Sequence, residues 1–161
     1  MSRIDVLDHG FVRLVDSMGD DLSVVRAARV SYDAAWRSGK DEGSDKRLLN
    51  YLWKNKHTSP FEAVEFQFEV KAPIFVFRQW HRHRTWSYNE LSARYRELPE
   101  EFYAPEAKHV AVQSTDNKQG RGEQLPLFQA EAAQEIIQRA CKDAFFAYEE
   151  LLAIGVAREL A

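Results

Sequence analysis

The features that this sequence lacks already exclude several classes of protein. The 161-residue chain has one cysteine, Cys141, and no apolar run near the roughly 20 residues that cross a bilayer. One cysteine excludes an internal disulfide framework and a cysteine-based zinc site. The seven glycines form no glycine-rich phosphate loop of the familiar kinds, so any phosphate must be bound by side chains. The polar N-terminus lacks the apolar core of a signal peptide, and a cytoplasmic protein without membrane contact is therefore expected.

Positive charge is concentrated in one short segment. The chain has a net charge of -3, yet residues 78–96, the basic segment, hold five arginines and one glutamate, for a net charge of +4. The paired N–H donors of an arginine guanidinium match the spacing of phosphate oxygens. Side chains that stack on planar rings are interleaved with them: Trp80, Trp86, Tyr88 and Tyr95. The pattern favours a local nucleotide site over a surface for long nucleic acids; the alternative is a set of surface arginines paired with carboxylates.

Hydrophobic periodicity predicts a single mixed domain over residues 1–161. Strands are predicted for Ile4–Val15, broken at His9-Gly10, and for Val64–Val70. Helices are predicted from Asp21 to about Trp36, from a Ser44 cap onward, from about Pro73 to His83, and from about Ala130 to Ala153. Their expected buried faces comprise Val25, Ala28, Arg29 and Tyr32 in the first helix and Leu48, Leu49, Leu52 and Trp53 in the second. Residues Gln113 to Gln124 are expected to form a mobile surface loop.

A metal site at the histidines is disfavoured. His81 and His83 would share one face of a strand, with His57 as a third candidate, but they diverge on the helix predicted here. The basic segment has no carboxylate before Glu90, and its arginines repel a dication. No metal is therefore expected.

Nucleophilic catalysis is also weakly supported. Ser92 has no Gly-x-Ser-x-Gly turn around it and no adjacent base, so a hydrogen bond to ligand is the preferred interpretation. Cys141 falls on the apolar stripe of the long helix and is interpreted as a small core residue. The stretch from His57 to Glu62, judged by its pattern alone, is a turn that leads into a strand.

The basic segment resembles the signature of flavin-dependent thymidylate synthases, namely Arg82-His83-Arg84 followed after seven residues by Ser92. A chance match of these four residues is on the order of one in a thousand for a chain of this length. Other segments that resemble the family pattern are Ser87, Asn89-Glu90-Leu91-Ser92, Arg94-Tyr95, His57-x-Ser59-Pro60-Phe61-Glu62, Ala28-Arg29-Val30-Ser31 and Ala157-Arg158-Glu159. The resemblance covers nearly the whole chain from about Asp5.

The resemblance implies the reductive methylation of dUMP to dTMP. Methylenetetrahydrofolate would donate the carbon, and FAD reduced by NADPH would supply the hydride. It also implies an α/β (α+β) fold with an antiparallel sheet flanked by helices, and a homotetramer whose active sites are shared between subunits. Since the one cysteine lies on a predicted core stripe, polarising donors rather than covalent attack are expected to activate the pyrimidine.

The resemblance also implies roles for individual residues. The FAD contacts expected from it are Ser31, Ser59, Arg82, His83, Arg84 and Glu90. The residues expected to line the dUMP pocket are Gln79, Arg82, Glu90, Ser92, Ala93, Arg94 and Arg158. His57, expected beside the flavin and the folate path, and Ser92 are the candidates for a direct part in catalysis.

The family pattern continues for some tens of residues beyond Arg158, so a chain truncated at its C-terminus is expected. The alternative function is a non-catalytic protein that binds a nucleotide or a nucleic acid through the basic segment. A structural or regulatory subunit that keeps the fold without turnover is a third hypothesis.

Overall fold

The computed structural model describes residues 2–161, which form two compact units, one ending at Lys71 and one running from Ala72 to Ala161. The α-helices and strands of the first unit are β1 (Arg3–Val6), β2 (Gly10–Met18), α1 (Asp21–Val30), α2 (Glu42–Lys54) and β3 (Glu65–Lys71). Those of the second are α3 (Ile74–Trp80), β4 (Ala111–Gln113), β5 (Arg121–Gln124) and α4 (Leu127–Ala153). The expected mixture of helices and antiparallel strands is confirmed, while the single domain stays a prediction. In residues 2–161, no helix combines the length and apolarity of a membrane span.

The first unit contains an antiparallel sheet with the strand order β1-β2-β3. Directly paired residues point to the same side of a sheet. Ile4 lies opposite Val12, which lies opposite Val70, and Leu14 lies opposite Phe68. The pairing therefore collects apolar side chains on one side, as the alternation in β3 predicts.

Much of that side of the sheet is exposed in the part of the first unit that the structure describes. We call it the apolar sheet face, and its members are Ile4, Val6, Val12, Leu14, Phe66, Phe68 and Val70. Ile4 is 66% exposed and Phe66 is 60% exposed. The opposite side is polar, with an Arg13–Glu69 ion pair across β2 and β3. The sequence predicted the alternation correctly, and the expectation that this side is packed stays a prediction.

The core of the first unit lies where α1 packs against α2. Val24, Val25 and Leu52 are its buried apolar side chains. A short 3-10 helix, Ser59–Ala63, also packs on α1. Among the described residues of the second unit, Ala130 is the one buried apolar residue, and Cys141 is a half-buried free thiol.

A charged pair is enclosed in the first unit as well. The Arg29 guanidinium forms an ion pair with the Asp45 carboxylate, and both side chains are nearly buried. Asp45 also accepts a hydrogen bond from the Gly39 N–H at 2.7 Å. Arg29 donates to the hydroxyls of Ser38 and Ser44, at 3.3 Å each. Because a buried charge is costly without partners, these bonds tie the segment between the two helices to α1.

Both helices differ from the sequence prediction at their ends. α1 ends at Val30, not near Trp36, because Asp33 turns the chain with φ +51° and the Ala34 N–H bonds the Arg29 carbonyl at 3.0 Å. This bond belongs to a Schellman cap, in which a left-handed residue stops the helix. The helix begins after Asp20 rather than Asp21, since the Asp20 carboxylate accepts from the Ser23 N–H.

The predicted cap and stripe of the second helix are wrong in part. The Asp41 side chain caps α2 by accepting from the Ser44 N–H at 3.0 Å, so Ser44 is the bonded partner and not the cap. Trp53 is 76% exposed and contacts the Phe61 ring edge-to-face. Tyr32 of the predicted α1 face lies beyond the helix and is also exposed.

The predicted surface loop between Gln113 and Gln124 contains a hairpin, since β4 and β5 pair there as antiparallel strands. Its turn is closed by polar groups, with the Gln113 side-chain amide donating to the carbonyls of Lys118 and Gly120. Backbone and amide hydrogen bonds thus order a segment that has few apolar side chains to signal a strand. α4 begins at Leu127 rather than Ala130, directly after Pro126, and α3 ends at Trp80 rather than His83.

We predict that Asp45→Asn destabilises the chain near neutral pH. The Gly39 N–H, followed by Arg29, lowers the pKa of Asp45 below its usual 3.8. A lowered pKa stabilises the folded state above pH 3.8, and this contribution is lost as the pH falls through the folded pKa. Thermal melts should show a lower Tm for the variant near neutral pH and a smaller difference from wild type in acid. Asp143→Asn, at an exposed position of α4, is the control; an equal effect of both variants would contradict the assignment.

Candidate functional site

The last turn of α3 leads directly into the basic segment. The Arg82 N–H bonds the Gln79 carbonyl at 3.2 Å, and the His83 N–H bonds the Trp80 carbonyl at 2.9 Å, so the chain continues as tight turns. The Tyr88 hydroxyl donates to the His83 carbonyl at 2.7 Å and closes the turn from the other side. This contact is absent from the sequence interpretation, which used Tyr88 only as a stacking surface. No sequence pattern predicts a hydrogen bond from a tyrosine hydroxyl to the carbonyl of a residue five positions earlier.

Two arginines of the signature carry uncompensated charge. Arg82 and Arg84 are exposed, and neither forms an ion pair with any carboxylate of residues 2–161. The alternative in which the surface arginines are simply paired with acidic side chains therefore fails for these two. Their guanidinium groups are available to an anion from outside the chain.

An open cleft of about 510 Å³ is lined in part by the sequence neighbours of these arginines, His83 and Thr85. We call it the aromatic cleft, and its lining is Val76, Gln79, Trp80, His83, Thr85 and Trp86. The two indole rings meet edge-to-face with centroids 5.4 Å apart. Apolar walls with a few polar groups, here an amide, an imidazole and a hydroxyl, are typical of a small-molecule site.

A second open cleft of about 510 Å³ contains the other two candidate arginines. We call it the arginine cleft, and its lining is Arg94, Tyr95, Glu97, Leu152, Val156, Ala157, Arg158 and Glu159. Arg94 Nε lies 3.0 Å from Glu159 Oε2, and Arg158 Nε lies 3.8 Å from Glu97 Oε1. The structure thus brings together Arg94 and Arg158, which are 64 positions apart in the sequence.

Ser92 shapes the turn that carries Arg94. Its γ-oxygen accepts from the Arg94 N–H at 3.3 Å, and its carbonyl accepts from the Tyr95 N–H at 3.1 Å. Ser92 and Ala93 are half-buried, whereas Glu90 is exposed in the extended stretch before them. With its oxygen engaged as an acceptor, the Ser92 hydroxyl keeps its proton for donation, which agrees with a binding role.

The end of α4 determines where Arg158 and Glu159 lie. Gly155 turns the chain with φ +90°, and the Val156 N–H bonds the Leu151 carbonyl at 3.0 Å in a Schellman cap. The Leu98 N–H donates to the Tyr148 hydroxyl at 3.0 Å and fastens the residues after Glu97 to α4. Both sides of the arginine cleft are therefore anchored to the same helix.

His57, Ser59 and Ser31 belong to the first unit. The His57 N–H bonds the Leu52 carbonyl at 2.9 Å in a Schellman cap of α2, with Lys56 in the left-handed position at φ +56°. The Tyr51 ring meets the His57 imidazole edge-to-face, with centroids 5.6 Å apart. The cap and the ring contact fix the direction in which His57 leaves the helix.

The two serines flank other helix ends of that unit. Ser59 opens the 3-10 helix, where Pro60 provides a first-turn residue without an N–H, and Ser31 follows the last residue of α1. Both are exposed. The remaining candidate residues, from Gln79 to Arg158, lie in the second unit. Across residues 2–161, no three His, Cys, Asp or Glu side chains converge in a way that could hold a metal ion.

Comparison with known proteins identifies one family. Residues 13–161 match the family model described as thymidylate synthase complementing protein. A flavin-dependent thymidylate synthase of Anaplasma marginale is 54% identical over 99% of this chain and 54% of its own length. One from Thermus thermophilus is 52% identical over 98% of this chain and 56% of its own length. The chain spans about half the length of the curated relatives that it matches.

The solved structures agree with this match. A UMP/dUMP methylase, PolB from Streptomyces cacaoi, crystallised with 5-Br dUMP, superposes with a TM-score of 0.81 at 40% identity. The alignment covers 98% of this chain and 67% of that one. The same methylase bound with 5-Br UMP gives a TM-score of 0.80.

We predict that Lys56→Gly stabilises the chain by about 1 kcal/mol, because the left-handed conformation costs a side-chain residue roughly that much and glycine almost nothing. Gly155→Ala should destabilise it by a similar ~1 kcal/mol for the opposite reason. Chemical denaturation of both variants measures these differences. A loss of stability in Lys56→Gly would show that the lysine side chain stabilises the turn more than the backbone strain costs.

Proposed function

This chain belongs to the thymidylate synthase complementing protein family, and we propose that it takes part in the reductive methylation of dUMP to dTMP. The carbon donor is methylenetetrahydrofolate, and FAD reduced by NADPH is the hydride source. Relatives named flavin-dependent thymidylate synthase and a structural neighbour crystallised with 5-Br dUMP support this reaction. The clefts of this chain support it independently.

The observation that carries the proposal is the pair of unpaired arginines, Arg82 and Arg84, which flank in sequence a residue of the aromatic cleft, His83. FAD and dUMP are both planar and anionic. A cationic group that cannot lose its proton suits the phosphate of either ligand, and indole rings suit the flat base or ring system. Chemistry of this kind on an otherwise acidic chain explains why the positive charge is so concentrated.

The arginine cleft provides the dUMP site in this proposal. Arg94 and Arg158 offer guanidinium donors to the phosphate, and the Ser92 hydroxyl donates a further hydrogen bond. The full set proposed for dUMP is Gln79, Arg82, Glu90, Ser92, Ala93, Arg94 and Arg158. Ser92 acts as a donor and orients the substrate, because its own γ-oxygen already accepts from the Arg94 N–H.

The flavin contacts proposed for this chain are Ser31, Ser59, Arg82, His83, Arg84 and Glu90. The donor set fits the cofactor, since exposed guanidinium groups without a carboxylate partner suit a pyrophosphate. When bound, FAD supplies the hydride. His57, oriented by Tyr51 and by the cap of α2, lines the approach to the flavin and the folate.

Assembly into a homotetramer with shared active sites is part of the same proposal. Two separate domains that divide 18.7 kDa between them would expose about 10,000 Å². This chain exposes 13,341 Å². Together with the apolar sheet face, the excess supports burial against further copies of the chain. We also propose that residues 1–161 act as one domain and that the protein is cytoplasmic, where the free thiol of Cys141 is stable.

We predict that dUMP binds the FAD-loaded protein and that Arg94→Ala weakens binding by about 10-fold or more, as loss of a charge-assisted bond to phosphate does. Titration calorimetry measures the Kd, and Arg139→Ala, at an exposed position of α4, is the matched control. Unchanged affinity in Arg94→Ala with an intact circular-dichroism spectrum would contradict the proposed dUMP site.

We predict that Phe68→Asp shifts the protein to smaller assemblies, because it places a charge on the apolar sheet face. Gln67→Asp, one position away on the polar side of β3, should leave the assembly unchanged. Size-exclusion chromatography with light scattering, following the visible flavin band across the peak, provides the measurement. A monomeric wild type would remove the proposed homotetramer.

A further inference from the structure

The arginine cleft is crossed by two ion pairs that run in opposite directions. The segment 94–97 contributes the cation Arg94 and the anion Glu97, and the turn after α4 contributes the cation Arg158 and the anion Glu159. Each arginine is paired with the glutamate of the other segment. The two pairs therefore join the segments as a cross-brace, the name used below for these four residues.

The atoms used in the cross-brace matter for its chemistry. In both pairs, the closest approach of the guanidinium to the carboxylate is through Nε, at 3.0 Å for Arg94 and 3.8 Å for Arg158. A guanidinium has five N–H donors in a rigid plane, and four of them are on the terminal nitrogens. A carboxylate on the Nε side attracts the guanidinium and leaves the two terminal nitrogens as a fork for two oxygens of another anion.

Exposed ion pairs of this kind contribute little to stability. The side chains are between 46% and 67% exposed, and such pairs typically stabilise a fold only slightly. The segments are already joined by the Leu98–Tyr148 hydrogen bond and by the Schellman cap at Gly155. The carboxylates are therefore not needed to close the cleft, and orientation of the arginines is the role left to them.

We propose that Glu97 and Glu159 are positioning residues that hold Arg158 and Arg94 for the phosphate of a nucleoside monophosphate. The proposal rests on the proposed function and adds two residues to which that function gives no role. Net charge alone predicts the opposite, namely that removal of either glutamate strengthens the binding of a phosphate. The cross-brace is neutral before the ligand arrives, so a carboxylate that did not orient its arginine would only repel the phosphate.

The test compares Glu97→Ala, Glu159→Ala and the corresponding Gln variants in the FAD-loaded protein. Each Ala variant should weaken dUMP binding by about 3- to 10-fold, the range expected when a flexible arginine loses its orienting partner. The Gln variants should weaken it less, since the Gln amide oxygen keeps a polar group of the same size on the Nε side of the arginine. Glu100→Ala is the matched control, because Glu100 is an exposed glutamate three residues after Glu97 with no ion pair in the described chain.

A second ligand separates positioning from a structural role. Deoxyuridine lacks the phosphate. Its inhibition constant, measured by competition with dUMP for binding, should therefore be the same in the wild type and in the Ala variants. If the Kd for dUMP and the inhibition constant for deoxyuridine rise together, or if the Tm falls along with the affinity for dUMP, the glutamates only stabilise the fold. Equal or tighter dUMP binding in the Ala variants would overturn the proposal in favour of simple repulsion.

Titration of the wild-type protein with dUMP separates a failure of the proposed function from a failure of the positioning role alone. If wild-type protein binds no dUMP, both the proposed function and the positioning role fail. If it binds dUMP and the glutamate variants bind equally well, the proposed function stands and the positioning role alone is wrong.

Discussion

A guanidinium keeps its charge at every pH that a protein normally meets, so each arginine needs an anion or must stay in water. This chain meets the constraint in three ways. Arg29 has a nearly buried carboxylate, Asp45, and the pair holds the segment between α1 and α2. Arg94 and Arg158 share their charge with exposed glutamates. Arg82 and Arg84 have no carboxylate partner in residues 2–161. Arg29 therefore supports the fold, whereas Arg82 and Arg84 carry the charge that a phosphate would neutralise.

The constraint also explains why the candidate site is built on turns. The sequence has no glycine-rich phosphate loop of the familiar kinds, so in the proposed site side chains bind the phosphate and must be oriented toward it. The Tyr88 hydroxyl holds the turn at His83, Ser92 holds the turn at Arg94, and Gly155 directs the chain after α4. Each of these bonds spans only a few residues, so the turns keep their form by local contacts. The rigid elements behind them, α3 and α4, set where the turns begin.

The sequence alone was sufficient for the family and for most helices and strands, and it failed at element ends and at the β4–β5 hairpin. The alternation of Phe66 and Phe68 predicted β3 correctly, because a strand has a period of two whatever covers it. The predicted end of α1 was wrong because Asp33 adopts a left-handed conformation, which an aspartate in the sequence does not by itself predict. Motif residues such as Arg82 could be chosen from the signature, yet the pairing of Arg94 with a carboxylate depends on Glu159, far along the chain. Long-range pairing of charges is the part that periodicity cannot supply.

The apolar sheet face has a consequence for how the protein must be handled. In the proposed homotetramer, a surface that is exposed in one chain would be covered by another, so folding and association would form a single equilibrium governed by mass action. Dilution would then lower the stability of the folded protein, and a melting curve would hold only for the concentration at which it was recorded. Newly made chains would pass through a stage in which Phe66 and Phe68, on the edge strand of the sheet, are uncovered. Such a stage favours aggregation, so the yield of folded protein depends on how quickly copies find each other.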